Sequence, residues 1–177
     1  IKIYKSKKNL GKGLALKIGV KKARYDWILT ADTDMSVPLF QINDWLNKKL
    51  IDKKCFIYIA SRTHNKSIVK KNFFRSILGV VMRFVVWIIL GIKIKDTQCG
   101  FKLYKKKFAK YSFGKLKSHG FSHDLELIAL LKNRNIKIKE LPVKWTHKKN
   151  SKLNVFWDPI KMLFEIFIIK FINLKNL

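Results

Sequence analysis

Asp32 and Asp34 stand two positions apart at the end of the uncharged run 27–31, so where a strand frays into a loop both can turn toward one point. Hard carboxylate oxygens with no neighbouring histidine or cysteine suit Mg²⁺ or Mn²⁺ better than zinc, and such an ion spends its remaining positions on water and substrate phosphates. The same pair could instead cap a helix announced by Ser36 and Pro38. A second candidate is Asn9-Leu-Gly-Lys-Gly13. Glycines ahead of a helix let the backbone approach an anion, the helix N-terminus adds partial positive charge, and Lys12 adds a mobile full one. The spacing is not that of a Walker loop, and a plain turn is the alternative.

Three further side chains belong to this inventory. Arginine occurs only at positions 24, 62, 75, 83 and 134 among 39 basic residues. Where lysine is otherwise the rule, a planar fork for a phosphate is a reason to keep arginine, and Arg62 and Arg75 are placed for it; ordinary surface residues are the alternative. Asp124, with Glu126, falls in what reads as the first turn of a helix, where the dipole alone favours carboxylates. His119 and His123 are four apart, but Gly120 lies between them in the stretch leading into the cap, which speaks against a zinc pair.

The elements that must position these groups follow from periodicity. Residues 27–31 and 55–60 are short apolar runs of the kind that fit buried strands. A helix follows the glycine turn, and another runs from Pro38 to about Leu50. This alternation predicts a mostly parallel sheet, with ligands bound outside the carboxyl ends of its strands. Residues 2–4 read as the end of a strand, 96–104 as a polar turn running into one, and 136–145 as a strand held near a sheet edge by Pro142. Ser122 is a candidate N-cap for a helix carrying Leu125, Ile128, Ala129 and Leu131. The segments 73–94 and 155–174 read as apolar helices, the first too short for the roughly 20 residues a span requires, both flanked by lysines suited to lipid headgroups.

The formal charge of +28 sets 39 basic against 11 acidic residues and must attract polyanions. The lysines are spread along the chain rather than gathered on one element, and no nucleic-acid motif is present, so no nucleic-acid partner is expected. Cys55 and Cys99 form no disulfide or metal pattern, which points to a reducing compartment.

Taken in order, Asn9-Leu-Gly-Lys-Gly13, Ala31-Asp32-Thr33-Asp34, Ser61-Arg62-Thr63-His64, Arg75-Ser76, Asp96-Thr-Gln-Cys-Gly-Phe-Lys102, His123-Asp124-Leu-Glu126-Leu, Glu140-Leu-Pro-Val-Lys-Trp145 and Ser151-Lys152 resemble the family 2 glycosyltransferases. Within that family they resemble the dolichyl-phosphate (polyprenyl-phosphate) β-glucosyltransferases. The resemblance implies an α/β, GT-A fold, Rossmann-like, with a mostly parallel sheet flanked by helices over residues 1–155 and an apolar helix at 156–177. It implies a nucleotide-sugar donor bound by Asn9, Gly11, Lys12, Gly13 and Asp32, and Mg²⁺ or Mn²⁺ held by Asp32 and Asp34. Transfer of a hexose, with inversion, would go to a polyprenyl or dolichyl phosphate held by Arg62 and Arg75. UDP-glucose is the expected donor, GDP-mannose the alternative, and a non-catalytic basic domain the reading from another class. Asp124 is the third catalytic candidate, as base, sugar-hydroxyl contact or helix cap. A membrane surface, with the site on its cytoplasmic face, completes the expected setting. Family members begin with nucleotide-binding β-α-β elements that have no counterpart here. The chain opens on Ile1, with its first methionine at Met35. A piece of a longer enzyme, inactive by itself, is therefore expected.

Overall fold

The computed structural model describes residues 2–5, 9, 11–52, 54–69, 73–118, 120, 122–146 and 157–174, with backbone alone at 73–78, 157–159 and 172–174. The two apolar runs form strands where their composition places them: β1 is Trp27–Thr30 and β2 is Ile57–Ser61, the latter buried at every position. Ahead of β1 lies helix α1, Lys12–Lys22, and between the strands lies α2, Gln41–Asn47. After β2 come β3 (Ile68–Val69), the long helix α3 (Phe73–Leu90), β4 (Lys102–Lys105) and α4 (Lys106–Lys115). The chain continues through α5 (His123–Lys132), β5 (Ile138–Pro142), β6 (Lys144–Trp145) and α6 (Trp157–Leu174).

The main sheet has the order β1-β4-β2-β5, and β3 pairs with β6 in a separate two-stranded ribbon. β4 is antiparallel to both β1 and β2, whereas β2 and β5 are parallel. Three of the four strands therefore run the same way, as the alternation of strands and helices predicts, but two of the three pairings are antiparallel. The sheet is mixed rather than built of adjacent parallel strands. Periodicity reports which residues are extended, not which strand lies next to which. β5 sits at the edge with Pro142 in its last position, where a missing N–H does no harm.

One sheet face carries Ile28, Ile57, Ile59 and Tyr104 against Val86, Phe113, Leu125, Ile128 and Ile166 of the helices. The other carries Tyr58, Ala60, Leu103 and Leu141 against Trp45 of α2. Three layers result. Trp45 is fully buried, edge-on to Phe101 at 5.3 Å, with its indole N–H donating to the Pro142 carbonyl at 2.8 Å.

Several boundaries differ from the periodic reading. Residues 2–4 join no strand, and Ile3 and Tyr4 are exposed. Pro38 precedes α2 instead of opening it: its carbonyl accepts the Gln41 N–H at 3.0 Å, and the helix ends at Asn47 before Lys49 turns left-handed at φ 51°. Ser122 is the N-cap residue of α5, yet its hydroxyl makes no capping bond. α3 stops at Leu90, where Gly91 takes φ 62°, a conformation that favours glycine. There the ammonium of Lys132, in the last turn of α5, donates to the Leu90 carbonyl at 3.0 Å. No described helix is long and apolar enough to cross a membrane.

Candidate active site

The approaches to α1, β4 and α5 converge on the carboxyl end of β1. Gly11 N-caps α1 at φ 87°, and its N–H donates to Asn9 Oδ1 at 3.1 Å. The turn aims Lys12 across to β1, where its Nζ lies 2.5 Å from Asp32 Oδ1. Gly13 is buried in the first turn of α1. Burial alone would lower the Lys12 pKa, but Asp124 and Asp32 outweigh it and hold the ammonium above its ordinary value.

Asp32 lies two residues beyond the end of β1 and is roofed by Gly100, since a Cβ on that glycine would fall 2.3 to 2.5 Å from the carboxylate atoms. Asp34 is exposed, and its Oδ1 accepts the Ser36 N–H at 2.9 Å, closing a turn around Met35 at φ 51°. The pair therefore does not cap α2, which begins seven residues after Asp34. Each carboxylate keeps an Oδ2 that receives no hydrogen bond from the described residues. Among those residues no group of three or more His, Cys, Asp or Glu is placed to hold a metal. What remains is one or two hard oxygen ligands beside a helix N-terminus, a donor set that fits Mg²⁺ or Mn²⁺ shared with a diphosphate.

Asp124 lies in the first turn of α5, but it does more than meet the helix dipole. Lys102 of β4 donates through Nζ to Asp124 Oδ1, and the side chains are 1% and 7% exposed. His123 brings Nε2 to 3.4 Å of the same oxygen, while its Nδ1 lies 2.7 Å from the Gly120 carbonyl. That carbonyl can only accept, so Nδ1 carries the proton and the buried Nε2 is left without a partner. Burial, assisted by Lys102 and Lys12, outweighs the pull of Asp124 and holds the imidazole below its ordinary pKa.

Arg62 closes β2 on the same side of the sheet, and its fork is occupied. Nε and Nη2 each donate to Asp96 at 2.8 Å, and the Arg62 backbone N–H adds a third bond at 2.7 Å. Burial would raise the Asp96 pKa; the guanidinium overrides it and holds the carboxyl below its ordinary value. Asp96 is fixed in turn by Glu140, whose carboxylate accepts the N–H groups of Lys95 and Asp96 at 3.1 Å each. Cys99 is buried nearby, its thiol pushed up to about 12 by burial and by Asp96. Arg75 is in the first turn of α3, with its side chain outside the described residues, as are His119 and the Ser151-Lys152 motif.

The structure thus gathers Lys12, Asp32 and Asp124 into one electrostatic cluster with Asp34 at its rim and Arg62 alongside. Asp96, Gly100 and Lys102 belong to the 96–102 motif and His123 to the 123–127 motif, but their contacts at the site do not follow from the motifs alone. For Lys102 a signal exists: in Gly-Phe-Lys-Leu-Tyr104 it shares a strand face with the apolar Tyr104, the wrong place for a solvated lysine.

The profile of the Glycosyl transferase family 2 matches residues 1–113. The dolichyl-phosphate beta-glucosyltransferase of Homo sapiens is 35% identical over 162 residues, which is 88% of this chain and 50% of that one. Its namesake from Saccharomyces cerevisiae is 31% identical over 187 residues, covering 96% and 54%. The chain spans about half the length of the curated relatives it matches. Among solved structures, glucosyl-3-phosphoglycerate synthase from Mycobacterium tuberculosis, in complex with Mn²⁺, UDP and glucosyl-3-phosphoglycerate, superposes with a TM-score of 0.63 at 11% identity, over 90% of this chain and 55% of that one. The shared fold is the GT-A glycosyltransferase fold.

Two outcomes follow from the geometry. Gly100→Ala keeps an ordinary backbone conformation but displaces the Asp32 carboxylate. Its melting temperature should stay close to wild type, while Mn²⁺ affinity, followed by calorimetry, falls about tenfold or more. His123 binds its proton less readily folded than unfolded, with Asp124, Lys102, Lys12 and the Gly120 carbonyl around it. Below its unfolded pKa of about 6.5 the unfolded chain then holds more protons, so stability declines as pH falls from 6.5. Urea midpoints between pH 7 and 5 should show that decline, and His123→Gln should flatten it.

Proposed function

Because the chain belongs to glycosyl transferase family 2, we propose that it transfers glucose from UDP-glucose to dolichyl or another polyprenyl phosphate, inverting the anomeric carbon, at the cytoplasmic face of a membrane. The observation that carries this reading is the Asp32 carboxylate, held by Lys12 of the glycine turn under Gly100, with Asp34 beside it. Asp32 and Asp34 would hold Mg²⁺ or Mn²⁺, which when bound supplies charge neutralisation for a departing diphosphate. Asn9, Gly11 and Gly13 shape the turn at the positive end of α1, and Lys12 stands ready there as a further cation. A phosphate acceptor is already ionised at neutral pH, so the residues have to orient it more than deprotonate it. Arg62 contributes its charge with two of its N–H groups already fixed on Asp96, and Arg75 would act from the first turn of α3.

The membrane part of the proposal rests on α3 and α6, which pack against each other. Val80, Val81, Phe84, Trp87 and Ile88 form one exposed face of α3, and Ile160, Phe164, Phe167, Ile168 and Phe171 one of α6. A groove of about 380 Å³ between α3 and residues 92–95 joins Phe84 and Trp87 to Arg83, Lys93 and Lys95. Apolar faces rimmed by cations suit the interface of an anionic leaflet, where each cation contributes about 1 kcal/mol.

In the intact protein, Asp34→Ala should lower transfer from UDP-glucose to polyprenyl phosphate at least roughly 100-fold without loss of folding; near-normal turnover would refute the metal role of the pair. On vesicles containing phosphatidylserine, wild type should co-float in low salt, and Trp87→Ser combined with Phe164→Ser should reduce the floated fraction several-fold. Absence of flotation at every salt concentration would remove the membrane from the proposal.

A further inference from the structure

Lys102 is the one buried lysine among the described residues. It opens β4, the strand between β1 and β2, opposite Thr30 at the end of β1 and Ile59 of β2. Burying an ammonium and a carboxylate strips both of water, and an apolar pair of similar volume generally stabilises as well or better. Packing therefore does not explain Lys102. What it does locally is occupy Asp124 Oδ1, the same oxygen that His123 Nε2 approaches at 3.4 Å. Oδ2 receives no hydrogen bond from the described residues. Two residues before Lys102 on the same segment, Gly100 covers Asp32, whose Oδ1 holds Lys12 Nζ at 2.5 Å, and α5 packs against α1. Asp124 thus stands beside the place where Asp32 and the α1 turn would hold a donor. A carboxylate oxygen there repels phosphates and accepts from hydroxyls.

We propose that Lys102 is a positioning residue, which by engaging Oδ1 sets Oδ2 of Asp124 as a fixed acceptor for a hydroxyl of the donor sugar, in place of a proton-abstracting base. The inference rests on the reading of the chain as a UDP-glucose-dependent transferase. The groups facing Asp124 are Lys102, His123, Lys12 and, through the field in the core, Tyr104.

The test is calorimetric titration of the intact protein, with Mn²⁺ present, by UDP-glucose and by UDP. Lys102→Met should weaken UDP-glucose about tenfold and leave UDP unchanged. That variant leaves Asp124 buried without its cation, so the decisive one is Lys102→Met/Asp124→Asn, which removes both charges and should melt near the wild type. It too should lose about tenfold for UDP-glucose and nothing for UDP. A double variant with the wild-type ratio of the two affinities overturns the proposal. So does an Asp124→Asn enzyme that binds UDP-glucose normally but loses the acidic limb of its kcat profile, the signature of a base. A wild type that binds neither ligand overturns the donor assignment itself, a result distinct from variants that match a competent wild type.

Discussion

β4 is hydrogen-bonded on both sides, to β1 and to β2, and that double pairing governs nearly everything at the carboxyl end of the sheet. Without it the inner edges of both strands would face each other with unpaired backbone groups in a dry interior, which is not tolerated. With it, the segment leading into β4 must pass directly over the end of β1. Asp96 therefore meets Arg62, Gly100 comes down on Asp32, and Lys102 is carried under α5 to Asp124. Three of the site's contacts have one cause.

The charge arrangement is unusual for so basic a chain. Net charge is +28, yet Asp32, Asp96 and Asp124 each have a dedicated cation at the same end of the sheet. A surplus of lysine elsewhere makes the outer surface attractive to polyanions at long range. Close to the sheet the balance is local, and the fixed pairs present oriented oxygens and N–H groups instead of a diffuse positive field. Such preorganised dipoles lose little on reorganisation when charge shifts during a reaction.

Much of this was legible in the sequence, and the rest was not for definite reasons. The apolar runs of β1 and β2, the glycine turn before α1, the edge position implied by Pro142 and the two long apolar helices all follow from residue type and spacing. Asp32 and Lys12 were both candidates, but nothing in their spacing of 20 residues announces their ion pair. Strand order is a long-range property, so the insertion of β4 could not be read from a period of two. Arg62 was singled out for its fork, and the partner that fills that fork lies 34 residues away. Lys102 closes the 96–102 motif, but lysine is everywhere in this chain, and only its parity within the strand marks this one as buried.

The tie between the end of α3 and the end of α5 has a mechanical meaning. Lys132 grips the Leu90 carbonyl beside the left-handed Gly91, and eight residues earlier on the same helix is Asp124. An uninterrupted helix of that length is a stiff rod of about 12 Å. α5 is thus a strut, clamped at one end to the exposed helix and at the other to the charged floor through Lys102. One short helix thus joins two neighbourhoods, the exposed apolar helix at its far end and the carboxylate at its near end.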